Sequence, residues 1–272
     1  MTEIYAYLRG NRSQSLDKHI KLCLEAFEEI KETKIWDAFR KIYNDAKVEK
    51  YVKFAIIFHD FGKIFYQTNR YSNKKENVEY LSFRGHEFFS TYLADKFLNL
   101  WLEKDISNRT DEYEDFRLLV YASILYHHHA MGLKSREKVD EIRVCRNHDE
   151  YKKILNRSGE ILKYYLKNFG DNVVDLFIEE LKNFRLKKSD RNEYILNRRI
   201  ISDVFRYVDE LNVEIWRNFV KNKIFRKMMI LTTNILLTVD YKGSENRGEV
   251  RTEFSEVLNE FIWLYKFCKK FI

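Results

Sequence analysis

The chain predicts an all-α fold, and three observations carry that expectation. Proline is absent, where average usage would supply roughly a dozen, and glycine occurs only eight times in 272 residues. Apolar residues recur at i, i+3, i+4 and i+7 along most of the chain, and no convincing apolar–polar alternation marks a strand. A hydrophobic content of 45% supplies enough core for one large domain. No internal repeat and no linker rich in glycine or serine divides it. Residues 1–245 are therefore read as one domain, with 246–272 as a C-terminal helix packing on it.

The elements follow in order. Ser15 caps a helix that carries Leu16, His19, Ile20, Cys23, Leu24 and Phe27 on one face. A second helix is expected from about Lys34 to Ala46. A third, from Val48 to Gln67, places Val52, Ala55, Ile56 and His59 on one side and breaks its rhythm near Gly62. Residues 68–84 are polar and read as a loop. Helix resumes from Gly85 to Glu103 and, after a charged loop, from Tyr113 to Met131. The charged stretch 134–158 is open to both a helical and a mobile reading. Further helices are expected at Ser158–Phe169, Val173–Phe184, Glu193–Glu210, Val213–Val239 and Glu249–Ile272.

Composition excludes several classes. The three cysteines (Cys23, Cys145, Cys268) are odd in number, far apart and form no C-x-x-C pair. That argues against a disulfide framework or a thiolate zinc site and fits a reducing cytosol. Residues 1–25 lack a signal-peptide core, and the longest mostly apolar run, Met228–Val239, is too short to span a bilayer. A soluble cytoplasmic protein with no membrane partner is expected. With 49 basic and 42 acidic residues the net charge is +7, which suits a polyanionic partner. Between Trp216 and Lys227 there are five basic residues (Arg217, Lys221, Lys223, Arg226, Lys227), no acids, and interleaved Trp216, Phe219 and Phe225. Cations beside aromatic faces suit unpaired bases and their phosphates; a solvated helix face with core aromatics is the plainer reading. Arg185–Arg199 is open to the same two readings.

The histidines are the most specific feature. Six of the seven fall in four places: His19, His59, His86 and the run His127-His128-His129. His59 is followed directly by Asp60, and neighbouring residues on a helix differ in direction by about 100°. The pair therefore suits two adjacent metal ions, with the aspartate between them. His19 lies on the core-facing stripe of its helix, where a buried ring needs a partner. Taken alone, such a histidine is more often a hydrogen-bonded core residue than a ligand. Three histidines in a row have no packing rationale; the plainer reading is a solvated helix end that suits the helix dipole. Asp240, at the end of the apolar Met228–Val239 run, is open to a surface role and to a ligand role.

These motifs, in this order, resemble the HD superfamily of metal-dependent phosphohydrolases. They resemble most closely its CRISPR-associated nuclease, the DNA-degrading half of the type I interference helicase–nuclease. The resemblance rests on His59-Asp60-Phe61-Gly62-Lys63, on Gly85-His86-Glu87-x-x-Ser90, on a histidine pair preceding a glycine, and on Asp240 followed by Ser244. It covers about residues 15 to 245. It implies a helical HD domain with extra C-terminal helices and two divalent transition-metal ions (Mn, Ni, Co, Fe or Zn, with Mg the poorer fit to so many imidazoles). His19, His59, Asp60 and Asp240 would hold one ion, and Asp60, His86, His127 and His128 the other. Asp60 and Lys63 would be the catalytic pair, Lys63 beside the scissile phosphate. The run of three departs from the family's pair, so His128 and His129 are the alternative register; the Tyr-His-His register favours His127 and His128.

The activity implied is hydrolysis of single-stranded DNA by a two-metal, activated-water mechanism during CRISPR interference. The chain carries no G-x-x-x-x-G-K-[ST] phosphate loop. Unwinding would fall to a separate CRISPR helicase polypeptide, working with an RNA-guided surveillance complex. Two alternatives stand beside this: an HD phosphohydrolase acting on nucleotides or cyclic nucleotides, and a non-catalytic nucleic-acid-binding subunit.

Overall fold

Helices form where the apolar stripes lie. The computed structural model describes residues 3–42, 47–73, 77–104, 111–128, 139–184, 186–189 and 192–244. Among these, nine α-helices dominate: α1 (Leu16–Lys31), α2 (Lys34–Ile42), α3 (Lys47–Phe58), α4 (His86–Lys104), α5 (Asp111–Tyr126), α6 (His148–Tyr165), α7 (Asp171–Lys182), α8 (Arg198–Lys221) and α9 (Lys223–Ser244). The mostly all-α fold class holds. The expected C-terminal helix 246–272, His129, Arg185 and Arg191 lie outside the described residues. No described helix is long and apolar enough to cross a membrane.

Two small antiparallel sheets correct the expectation that strands are absent. The first has the order β2-β1-β4-β3, from β1 (Tyr5–Arg9), β2 (Arg12–Ser15), β3 (Arg70–Asn73) and β4 (Val78–Leu81). The second runs β5-β7-β6, from β5 (Ile142–Cys145), β6 (Lys187–Lys188) and β7 (Tyr194–Leu196). The expected loop 68–84 thus contains the β3–β4 hairpin, paired from Arg70↔Leu81 to Asn73↔Val78. The ambiguous stretch 134–158 contains β5 and the start of α6, and the helix expected from Glu193 begins instead at Arg198, after β7. All these strands are two to five residues long, too short for a period of two to stand out. Between β1 and β2 a two-residue turn pairs Arg9 with Arg12, and Gly10 there adopts φ +57°, a left-handed conformation that glycine takes at little steric cost.

Two helix boundaries also move. The third helix stops at Phe58 and continues as a 3-10 turn over Phe61–Tyr66, so its break falls at His59-Asp60 rather than at Gly62. The α8–α9 break falls at Asn222, not near residue 212. The Asn222 side chain caps the next helix, accepting from the backbone N–H groups of Ile224 and Phe225, whereas Asn212 is helical and its side chain accepts from the Tyr126 hydroxyl at 2.6 Å.

Phenylalanines weld the elements that carry the histidines. Phe54, Phe58, Phe61, Phe97, Phe169 and Phe177 are buried and in ring contact, with Phe54–Phe58 at 4.4 Å and Phe58–Phe97 and Phe97–Phe177 at 5.4 Å between centroids. Offset or edge contacts of this kind add to the area they bury. They fix α3, its 3-10 extension, α4 and α7 against one another. α9 packs most extensively on α1 and α5, so α1, α3, α5 and α9 share one interior.

A buried carboxylate ties α4, α5 and α8 together. Asp95 is fully buried; it faces Arg117 Nη1 at 3.3 Å and accepts from Asn99 Nδ2 at 2.9 Å and from the Tyr207 hydroxyl. Removing the cation leaves the anion without its charge partner, so Arg117→Ala is expected to cost about 3 kcal/mol in urea-denaturation stability. A loss below about 1 kcal/mol would show that the two neutral donors suffice.

Candidate metal centre

Each donor reaches the centre by a local device. His19 stands at the first turn of α1 on its buried face, and Asp240 on the buried face of α9 near its end. His59 and Asp60 sit where the α3 helix gives way to the 3-10 turn. His59 N–H still donates to Ala55 O at 2.9 Å, while Asp60 has φ −105° and ψ 1°. That change of winding brings two consecutive side chains to one place, which a straight helix would not. His86 opens α4 after Gly85 at φ +80°, and His127 and His128 follow the last residue of α5.

Gly62 makes the junction between the 3-10 turn and α4. A Cβ there would stand 2.4 Å from His86 O, 2.7 Å from Ser90 N and 2.9 Å from Phe89 Cβ, and the Gly62 N–H donates to Ser90 Oγ at 2.8 Å. The glycine lets His86 approach Asp60. On the other side, a Cβ at Gly243 would stand 2.5 Å from Cys23 Sγ and 3.2 Å from His19 Nδ1, so a bare backbone there lets α9 close on α1.

Asp60 lies at the middle. Its Oδ2 is 3.2 Å from His19 Nε2, 3.8 Å from His59 Nε2 and 2.5 Å from Lys63 Nζ. Its Oδ1 faces the other way, 2.9 Å from His86 Nε2 and 3.9 Å from His127 Nε2. Asp240 Oδ1 lies 3.2 Å from His19 Nε2 and 3.6 Å from His59 Nε2. Two groups of donor atoms result, His19–His59–Asp60–Asp240 and Asp60–His86–His127–His128, each with its atoms within 4.8 Å of one another. Either could hold a metal ion. All but His128 are buried. These are the two sets that the resemblance implied, with Asp60 in both.

The imidazoles are oriented for ligation. Nδ1 of His59, His86 and His127 lies 2.6, 2.8 and 2.5 Å from the carbonyl oxygens of Ile56, Phe83 and Ile124. A carbonyl only accepts, so in the neutral ring Nδ1 carries the hydrogen and the Nε2 lone pair faces Asp60. Nε2 of His127 is buried without a hydrogen-bond partner. An orphaned buried acceptor among carboxylates and other imidazoles fits a cation and leaves the protein alone unsatisfied.

Charge arrangement agrees with this fit. Burial opposes ionisation of Asp60 and Asp240, yet Lys63, His59 and His19 hold Asp60, and His19 and His59 hold Asp240, well below the usual carboxylate range. Burial, with His128 and His59 nearby, pushes His127 well down, and burial with Lys63 pushes His86 down. Burial also works against a charged His59, but Asp60 and Asp240 outweigh it and raise its pKa.

Lys63 is 6% exposed and also donates to Ala6 O of β1 at 3.2 Å. It reaches the centre as the counterion of Asp60. His148 is exposed, opens α6 and contacts Tyr194, apart from the donors. The five basic residues lie at the α8–α9 junction, with Arg217, Lys221, Lys223 and Lys227 exposed. Arg226 is engaged there: its Nε and Nη2 donate to Phe219 O and Val220 O at 2.9 Å and close the end of α8. Phe225 is a core residue.

Sequence reasoning missed the orienting carbonyls, which no residue type signals, and the contact of Cys23 Sγ with His19 Nε2 at 3.6 Å. The spacing His19-x-x-x-Cys23 on one helix face was the available signal for the latter. Comparison of the chain with models of known families, with characterised proteins and with solved structures gives no match.

Metal binding must displace the proton that Asp60 and Asp240 favour on His59, whose pKa they raise above its ordinary value of 6.5. Apparent affinity is therefore expected to fall as pH drops from about 8 to about 6, with net proton release on binding. Titration calorimetry in two buffers of different ionisation enthalpy measures that release; identical heats would show His59 already neutral.

Proposed function

We propose that this chain is an HD-superfamily nuclease, like the CRISPR-associated one its motifs resemble, hydrolysing the phosphodiester bonds of single-stranded DNA with two divalent transition-metal ions. The observation that carries the reading is the buried Asp60 carboxylate, whose two oxygens face two separate sets of donors. Two ions held by His19, His59, Asp60 and Asp240 and by Asp60, His86, His127 and His128 would supply an activated water and charge stabilisation for the phosphate and the leaving oxygen. The chain's own residues do the rest. Asp60 spans both sets. Lys63, 2.5 Å from Oδ2, keeps that carboxylate ionised and would add positive charge where phosphate charge increases. The imidazole-rich donors suit Mn, Fe, Co, Ni or Zn over Mg.

One contact supports a route for the strand. Trp216 is 44% exposed, and its Nε1–H donates to the Tyr126 hydroxyl at 2.7 Å. Tyr126 immediately precedes His127, so this contact ties Trp216 of α8 to the segment that carries His127 and His128. Trp216 would stack a base, while Arg217, Lys221, Lys223 and Lys227 would take phosphates. In this reading the protein acts in the cytoplasm, a separate helicase polypeptide unwinds duplex DNA, and an RNA-guided surveillance complex selects it.

The test compares cleavage of single-stranded DNA with turnover of free and cyclic nucleotides, each with Mn²⁺, Ni²⁺, Co²⁺ and Mg²⁺. Single-strand cleavage that falls by more than about 100-fold in Asp60→Ala is expected. Turnover of nucleotides alone would favour the nucleotide phosphohydrolase. DNA binding without metal, unchanged by Asp60→Ala, would favour a non-catalytic subunit.

The strand route makes its own prediction. Lys221→Ala and Lys227→Ala should each weaken single-strand binding at low salt and lower the slope of log affinity against log salt by about one. Unchanged slopes would move the strand away from this helix junction.

A further inference from the structure

We propose that the His19–His59 half of the centre contains a second, softer coordination set in which the Cys23 thiolate replaces the carboxylates. Thiophilic ions such as Cd²⁺ and Zn²⁺ would be captured there. The inference rests on the metal-centre reading and not on the reaction catalysed.

His19 and Cys23 are four residues apart in α1 and share its buried face. Cys23 Sγ lies 3.6 Å from His19 Nε2 and 3.9 Å from Nδ1, and His19 Nε2 lies 3.2 Å from His59 Nε2. In a tetrahedral site built on Zn–N and Zn–S bonds of ordinary length, nitrogen–sulfur and nitrogen–nitrogen edges are about 3.5 and 3.3 Å. Two edges, sulfur to His19 Nε2 and His19 Nε2 to His59 Nε2, therefore have the length such a site needs. The sulfur stands almost equally far from both nitrogens of His19, so that imidazole must turn to bring its Nε2 lone pair and the thiolate onto one ion. The three residues offer donor atoms within 4.8 Å of one another, and all three are buried. The place of the sulfur is built rather than incidental: it fills the space that Gly243 leaves open, 2.5 Å from where a Cβ would be.

His19 and His59 belong to both sets. An ion bound with Cys23 takes two imidazoles that the carboxylate set needs, so the two modes exclude each other. Ligand softness decides between them. A thiolate favours Cd²⁺ and Zn²⁺, whereas the two aspartates with imidazoles favour Mn²⁺. On binding the soft ion, the thiol gives its proton to solvent and the sulfur lone pair forms the bond to the metal. No oxidation state changes. The sequence argued against a zinc site made of thiolates alone; this one needs a single sulfur beside two imidazoles.

The test is a titration of the metal-free full-length protein with Cd²⁺ and with Mn²⁺, read by near-ultraviolet sulfur-to-metal charge transfer and by X-ray absorption of the Cd²⁺-loaded protein. Wild type and Cys145→Ser are expected to show the band and one sulfur in the cadmium shell. Cys23→Ser should lose both, with Cd²⁺ affinity reduced by about tenfold or more and Mn²⁺ affinity changed by less than about threefold. A cadmium shell of nitrogen and oxygen only in the wild type overturns the proposal without any variant having to fold. A band that survives Cys23→Ser overturns it too. Mn²⁺ binding without a cadmium–sulfur bond sinks this inference alone. Failure of both ions to bind sinks it together with the metal-centre reading.

Discussion

The charge on Asp60 is the constraint around which the described structure is arranged. A carboxylate 1% exposed is costly in a protein interior unless it is paired and hydrogen-bonded. Here it is surrounded from every side. α1 supplies His19, the end of α3 supplies His59, the 3-10 turn Lys63, the start of α4 His86, and the segment after α5 His127. Five pieces of chain converge on one side chain. The phenylalanine layer behind α3 and α4 supplies the apolar burial that holds them there against the mutual repulsion of their polar ends.

The donors were legible because their chemistry is rare. Histidines adjoining an aspartate, opening a helix after a glycine, or standing in a row have few packing explanations, and the residue types alone mark them. What the sequence did not disclose was the backbone that joins them. A period of 3.6 places His59 and Asp60 about 100° apart, and only the change of winding at residues 59–60 resolves how both reach one point. The strands escaped for a different reason. Arg70–Asn73 has no apolar alternation to detect and is largely exposed, and Lys187–Lys188 is two residues long. Each pairs with a strand close in sequence, but what joins these hairpins into sheets is a neighbour distant in sequence, as where Arg9 meets Tyr80.

Polar residues inside helices misled in the same way. Asn212 suggests a break by its low helix propensity, but its amide is taken up by Tyr126, and the helix runs through it to Lys221. Arg226 suggests a surface cation by its place in a basic run, yet it caps carbonyls that the break at Asn222 leaves open. In both places a tertiary partner determines what the side chain does, and local composition does not name that partner. The charge excess of the segment was correctly visible; its distribution between structure and surface was not.

The three imidazoles held by carbonyls three residues before them are aimed by their own turn of backbone. Where an outer carboxylate does this aiming, a mutation can retune or abolish it. Here the orienting atoms of His59 and His127 belong to peptide groups that every amino acid carries, and only His86 has a buried carboxylate as well, Glu87 at 3.4 Å from its Nδ1. Exchange of Ile56, Phe83 or Ile124 for another residue would alter packing but leave the carbonyl in place. The ring directions are thus inherited with the secondary structure itself, and drift in the surrounding sequence has little purchase on them. An amide-to-ester exchange in the backbone, which weakens the carbonyl as an acceptor, would reach them where a side-chain scan would not.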